Sequence, residues 1–332
     1  MSRIFDKLPG VLMSVESVTD TLRHMWDMDS GADTNPTDFR ASQLNLILHF
    51  GMTTTPEEAV ETFDTAIRFA QRYPCRIVVL CPFDESRSDE EFEGKLFSQC
   101  YIGKDMRDLC CCEALILGYS PEQSDFLENQ VSIWLESDLP VYHWLHRVPA
   151  ERVSHNYLGF LSRCRRVIFD GEIEGEDYDR IAWPDASRVA DLAYARILPL
   201  RQSLGQFLSG YPKEELIAGL QSLKFQYTRG LRRQVYKLMS WHRSALEKCF
   251  SKPADIDSVV FAFEQLVVEN SDNCMRIDWN FGNDENYIAW EYNRSQRAGR
   301  IRSSLPSGTF ELPLHIEPLK PEFGLSEAMF FG

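Results

Sequence analysis

Long apolar runs are missing from this 332-residue sequence. Arg76 to Phe83 and Ala114 to Gly118 are among its most apolar stretches, and both fall far short of the ~20 residues a helix needs to cross a bilayer. Basic charge is also scarce. Thirty-five Lys+Arg against 50 Asp+Glu leave a net charge of −15, which argues against a dedicated nucleic-acid binder or a binder of anionic membranes. The first residues lack an apolar core and carry Asp6 and Glu16, so no secretory leader is expected. Nine cysteines are an odd number without the even, spaced framework of secreted scaffolds. A cytoplasmic protein with reduced thiols is expected.

The usual signatures of catalysis are lacking too. There is no G-x-x-x-x-G-K-[ST], and no strand-to-helix junction carries G-x-G-x-x-G. The turn after Leu80 reads Cys81-Pro82-Phe83-Asp84. A phosphate cradle needs glycines so that backbone N–H groups can approach the ligand, and no cofactor is therefore expected. G-x-S-x-G is absent, which excludes a nucleophile elbow. Cys110-Cys111-Cys112 cannot chelate one tetrahedral ion from three adjacent positions and reads as packing at a strand entrance. His143 and His146 form H-x-x-H, but in a strand they fall on opposite faces, and no metal site is expected. His242 lies on the apolar face of a helix and reads as a satisfied core histidine.

What remains is an ordinary globular balance, 44% apolar and 26% charged with 18 Gly and 16 Pro, in a chain of about two average domains. Residues 1–39 read as a lead-in segment, with an amphipathic stretch from Ser14 to Met28. A strand at Leu44 to Phe50 precedes Thr55, Pro56 and Glu58, a capping box with proline at the first helical position. Ala59, Val60, Phe63, Ala66, Ile67 and Ala70 then recur at helical spacing. Arg76 to Leu80 is the next strand. The pattern repeats through a strand at Glu113 to Leu117 and a second capping box at Ser120, Pro121 and Gln123. It continues with strands at Leu139 to Leu145 and Arg166 to Asp170, a helix lying between them from about Ala150 to Arg163. Residues 40–184 are expected to form a Rossmann-like, doubly wound α/β domain with a mainly parallel sheet.

Residues 185–332 read as α+β: a helix from Asp185 to about Ser209 kinked at Pro199, a strand at Leu223 to Thr228, and a helix from Arg229 to Phe250. An antiparallel meander follows, over Val259 to Val268, Met275 to Phe281, Tyr287 to Tyr292, Gly299 to Arg302 and Thr309 to Leu314. Two charged segments stand out. Asp84 to Lys95 holds six carboxylates on an expected loop and helix start. Arg229, Arg232, Arg233, Lys237 and Arg243 avoid the apolar stripe of their helix. They form either a solvated face or a docking surface for an acidic partner or phosphorylated ligand. The acidic loop Gly171 to Asp179 is a possible internal counterpart.

Five segments together resemble one family. Pro74, Cys75 and Arg76 in Tyr73 to Leu80 are similar to the x-P-C-R-x-x-V-L strand of the glucose-6-phosphate dehydrogenase assembly proteins, the OpcA family. Glu113 after Cys111-Cys112 resembles its C-x-E segment. Asp138, Pro140 and Trp144 resemble its D-L-P-V-x-x-W-W strand, with His143 in place of a tryptophan. Arg166 to Asp170 matches R-V-I-x-D, and Asp191, Arg196, Pro199 and Arg201 resemble the D-L-x-W-x-R-x-x-P-W-R helix. The resemblance runs from about 40 to 250 and is weaker in the strands after 257. It implies a non-catalytic protein that binds glucose-6-phosphate dehydrogenase, promotes its active oligomer and activates it allosterically in the oxidative pentose phosphate pathway. No catalytic residues, nucleic acid or membrane are implied, and self-association is left open. The alternative is an enzyme or sensor that holds a sugar phosphate through the Lys/Arg cluster.

Overall fold

The computed structural model describes residues 4–18, 20–21, 42–83, 92–102, 109–266 and 273–331. Most of the expected amphipathic stretch to Met28 and the carboxylates from Asp84 to Glu91 lie outside the described residues. Contacts divide the chain into Met1–Leu192 with Pro321–Gly332, and Ala193–Lys320.

The first unit is built on an eight-stranded sheet in the order β1-β4-β5-β3-β2-β6-β7-β8. After a short helix α1 (Ile4–Lys7) come β1 (Val11–Met13), β2 (Leu44–Phe50), β3 (Cys75–Pro82), β4 (Glu93–Ile102) and β5 (Leu109–Tyr119). The remaining strands are β6 (Val141–His146), β7 (Arg166–Phe169) and β8 (Val189–Asp191). Strands β5, β3, β2, β6, β7 and β8 run parallel, and β4 and β1 add antiparallel at one edge. Every residue of β2 is buried, as a central strand covered on both faces requires.

Helix α2 (Pro56–Arg72) starts where the sequence places it. Thr55 accepts from the Glu58 N–H, and Glu58 accepts from the Thr55 N–H. The second expected box does not form. Ser120 precedes a single 3₁₀ turn without a side-chain cap, its hydroxyl donating to Glu122 instead, and helix α3 starts at Ser124 and ends at Trp134.

The antiparallel edge was not expected from the sequence, and Glu93 to Lys95 lie in β4 rather than at a helix start. Lys95 is 8% exposed, and its ammonium donates to the carbonyls of Phe5 (2.6 Å) and Leu8 (3.1 Å). It thereby caps the carbonyl end of α1. Buried ammonium groups need such partners, so this contact ties the N-terminal residues to the sheet.

The expected helix from Asp185 is replaced by a 3₁₀ turn, strand β8, helix α5 (Leu192–Arg196) and helix α6 (Leu198–Leu208); α4 (Gly171–Glu174) precedes them. The Asp185 carboxylate accepts from the Ser187 N–H (3.0 Å), a local bond that turns the chain into β8. Pro199 falls in the first turn of α6, where its missing N–H costs nothing, so no kink arises. The sheet therefore runs past 184, and the division between units falls after Leu192. The last helix, α9 (Pro321–Phe330), which follows α7 (Lys213–Ile217) and α8 (Arg232–Glu247) in the chain, also rejoins the first unit. Phe330 meets Phe69, Tyr73 and Tyr142, and the Ala328 carbonyl accepts from Arg166.

The second unit carries a six-stranded sheet, β10-β9-β11-β12-β13-β14, made of β9 (Ser222–Tyr227), β10 (Val260–Gln265), β11 (Cys274–Asn280), β12 (Tyr287–Asn293), β13 (Ala298–Leu305) and β14 (Gly308–His315). The meander is present from β11 to β14. Strand β10 instead pairs parallel with β9 across α8, a β-α-β crossover. Burial alternates along β9, β11 and β12, and the inward residues Phe225, Ile277, Trp290 and Ile301 pack with Leu204, Val235 and Leu238. Pro313 sits in edge strand β14, where a residue without an N–H is tolerated.

Candidate functional site

In an open α/β sheet, ligands bind outside the carboxyl ends of the strands where the strand order reverses. Here that point lies between β2 and β6, and backbone closes it. Gly51 donates to the His146 carbonyl at 2.8 Å. A Cβ on Gly51 would lie 1.7 Å from the Arg147 carbonyl oxygen, so only glycine permits the contact. Arg147 follows β6 with φ 58°, and its Nε donates to Glu58 at 2.9 Å. That pair holds the Glu58 carboxyl down at about 2, chiefly through the hydrogen bond from Arg147.

Three further N–H groups near this end are answered from within the chain. The Arg147 N–H donates to Glu174 (2.5 Å), the Gly171 N–H to Asp191 (2.9 Å) and the Glu172 N–H to Asp170 (3.1 Å). Burial raises the Glu174 carboxyl to about 7. Carboxylates of the chain itself thus take these N–H groups. The acidic Gly171 to Asp179 segment forms α4 and a 3₁₀ turn there.

The same strand ends carry a buried polar relay. His143 Nε2 lies 3.2 Å from His49 Nδ1, His49 Nε2 lies 2.8 Å from Tyr119 Oη, and Tyr119 Oη lies 3.2 Å from Tyr157 Oη. Both histidines are fully buried. Desolvation lowers His49 to about 3 and pushes His143 well below its ordinary value, so both are neutral at pH 7. The strand alternation places His49 and His143 on one face, and a π turn at Val153–Tyr157 delivers Tyr157 to them. Wide helical turns of this type are frequent at functional sites. The relay ends at a cleft of about 30 Å³ lined by Gly51, Met52, Tyr119, Val148, Arg152 and Tyr157. His146 points away, against Phe50, as the spacing requires. Sequence reasoning named His143 but missed His49, Tyr119 and Tyr157; a histidine next to last in an apolar strand was the one available signal.

The residues of the family resemblance lie mostly at the other end of the sheet, where they act as braces. Pro74 precedes β3, Cys75 is buried in it, and Arg76 donates to the Trp134 carbonyl (3.2 Å) and pairs with Glu136 (2.6 Å). Glu113 is the register partner of Arg76 on β5 and is buried. Pro140 accepts the Asn45 N–H at 2.9 Å, whereas Asp138 is exposed. Trp144 is buried, and Asp191 caps Gly171. In the second unit, Arg201 lies over the Tyr194 ring at 4.0 Å and donates to its hydroxyl, and Arg196 is half-buried.

The basic residues of α8 do not form the single exposed face the spacing suggests. Arg233 is buried at 6% exposure, because its position falls under the turn that packs onto the sheet. Arg229 and Arg232 are exposed, Lys237 is half-buried, and Arg243 is exposed but pairs with Asp257. Arg232 and Arg243 lean over Phe263 and Phe261 of β10. Within the second unit Asp257 answers Arg243. His242 is buried as expected but only half satisfied: Nδ1 lies 2.8 Å from the Leu238 carbonyl and Nε2 has no partner. Cys75, Cys81, Cys112 and Cys164 are buried; the side chains of Cys110 and Cys111 lie outside the described residues. No described helix is long and apolar enough to cross a membrane.

Residues 66–182 match the family described as glucose-6-phosphate dehydrogenase subunit N-terminal domain, of the OpcA type. The chain is 24% identical over 182 residues to the "Putative OxPP cycle protein OpcA" of Synechocystis, covering 52% of this chain and 37% of that protein. It is 26% identical over 184 residues to the protein of the same name from Synechococcus elongatus, covering 53% and 40%. The matched stretch is thus about two-fifths of each relative's length. The crystal structure of KijD10, a 3-ketoreductase from Actinomadura kijaniata with NADP and TDP-benzene, superposes over 85% of this chain and 87% of that one. Its TM-score is 0.39 at 10% identity, too low to bear on function.

Proposed function

We propose that the chain, whose residues 66–182 match the OpcA family, is a non-catalytic assembly factor that binds glucose-6-phosphate dehydrogenase and promotes its active oligomer. The observation that carries this reading is the family match over the α/β unit. The contacts at the strand ends support it: Gly51 packs against Arg147, and Glu58, Glu174, Asp170 and Asp191 take N–H groups of the chain itself. The Rossmann-like unit then serves as a scaffold rather than a cofactor-binding domain.

Such a protein activates by binding the productive state of the enzyme more tightly than the others; a tenfold preference shifts that equilibrium by about 1.4 kcal/mol. Arg229, Arg232 and Arg243, exposed cations of the 229–243 segment, are offered as docking residues, joined by the half-buried Lys237. The test combines size-exclusion chromatography with initial-rate measurements on the purified dehydrogenase, with and without this chain. Co-elution and a changed rate or oligomeric state are expected. No complex and no rate change at micromolar concentrations would refute the reading.

A further inference from the structure

The direction of hydrogen bonding along the buried relay says what its open end can hold. His143 Nδ1 is buried and has no partner among the described residues. If that nitrogen carried the proton, a buried N–H would be orphaned, and such donors are rarer in folded proteins than bare acceptors. The lower-cost tautomer therefore protonates His143 at Nε2. The remaining directions then follow one after another. His143 Nε2–H donates to His49 Nδ1, His49 Nε2–H donates to Tyr119 Oη, and Tyr119 donates to Tyr157 Oη. Each acceptor is filled in turn, so the Tyr157 O–H is left to donate into the cleft.

Arg152 lines the same cleft. It is half-buried, donates to the Pro121 carbonyl at 3.3 Å and forms no ion pair among the described residues. Glu122 nearby is exposed, and its carboxylate accepts from Ser120. The remaining lining is apolar or backbone: Phe50, Met52, Pro82, Val148 and Pro149. A hydroxyl fixed as a donor, beside a guanidinium whose neighbouring carboxylate, Glu122, is exposed and engaged by Ser120, is a place for an acceptor of negative charge. At about 30 Å³ the cleft holds roughly two water-sized groups, so it takes the tip of an anion and leaves the rest outside.

We propose that this cleft binds a terminal oxygen of a small anion, a carboxylate or a phosphate, with the Tyr157 hydroxyl donating to it and Arg152 supplying the charge. The cleft adjoins the closed Gly51–Arg147 contact, with Gly51 lining it, and the proposal does not depend on the dehydrogenase reading.

The full chain is titrated with inorganic phosphate and, separately, with acetate at pH 7.5, ionic strength being held constant with chloride. Thermal midpoint and ¹⁵N histidine resonances are followed. A saturable rise in midpoint with at least one anion is expected, phosphate alone assigning a phosphoryl oxygen and acetate alone a carboxylate. Hydrogen bonds to charged groups are among the strong ones, so Arg152→Gln and Tyr157→Phe should each weaken binding roughly ten- to a hundredfold. The spectrum should show His143 unprotonated at Nδ1. Arg152 is at the surface, so Arg152→Gln decides the matter even if Tyr157→Phe folds poorly. No saturable response to either anion, unchanged affinity in Arg152→Gln, or a proton on His143 Nδ1 would each overturn the proposal.

Discussion

His242 makes the acid stability of the second unit calculable. Its ring packs among Phe225, Trp241 and Trp279, with Nδ1 on the Leu238 carbonyl and Nε2 unpartnered. Desolvation lowers it from 6.5 to about 4. Above pH 6.5 the histidine is neutral in both folded and unfolded chains and contributes no slope. Below 6.5 the unfolded chain takes up a proton that the folded chain refuses until about pH 4, so stability falls as pH falls through that window. The loss attributable to His242 is about 2 kcal/mol between pH 8 and pH 5, approaching about 3 kcal/mol by pH 4.

Urea unfolding of the native chain and of His242→Leu, followed by tryptophan fluorescence at pH 8, 7, 6 and 5, measures it. The variant should lose about 2 kcal/mol less than the native chain over that range. His49, His143 and His146, also lowered by burial, contribute equally to both proteins and cancel in the difference. So does Glu174, whose raised value acts with the opposite sign, adding stability as pH falls from about 7 towards 4.5. Parallel stability curves for the two proteins would refute the reasoning.

Other expectations follow from the same contacts. Gly51→Ala places a methyl against the Arg147 carbonyl and should cost several kcal/mol or prevent folding, measured by urea midpoint; a loss under about 0.5 kcal/mol would show that the crevice is not closed by backbone. Arg232→Glu should leave stability within about 0.5 kcal/mol, whereas Arg233→Glu should cost several, since it puts an acid at a buried position. If the basic segment docks the dehydrogenase, Arg229→Glu with Arg232→Glu weakens association and flattens its salt dependence; unchanged affinity ends that assignment. Thiol labelling of the native chain should modify Cys249 and Cys274 before Cys75, Cys81, Cys112 and Cys164, because only the last four are buried. Burial also raises the Cys164 thiol to about 12, and prompt labelling of any of the four would contradict their packing role.

Local signals in the sequence determined most of the parallel sheet. The Thr55-Pro56-Glu58 cap, the apolar runs at 44–50 and 76–80 and the strand at 166–169 are set by interactions within a few residues or by simple burial on both faces, and they appear where composition puts them. Tertiary structure decided the rest. Strands β4 and β8 depend on neighbours far along the chain, and Lys95 takes a role that exists only once α1 and the sheet edge are in place. The parallel placement of β10 against β9 likewise comes from the crossover through α8 and leaves no mark on the alternation of either strand. The relay is the clearest case. His49, Tyr119, His143 and Tyr157 are separated by up to about a hundred residues, and nothing local ties them together. Hydrogen bonds reach about 3 Å, so a polar network of this kind is defined only by the register of β2, β5 and β6 and by the π turn that brings Tyr157 onto it.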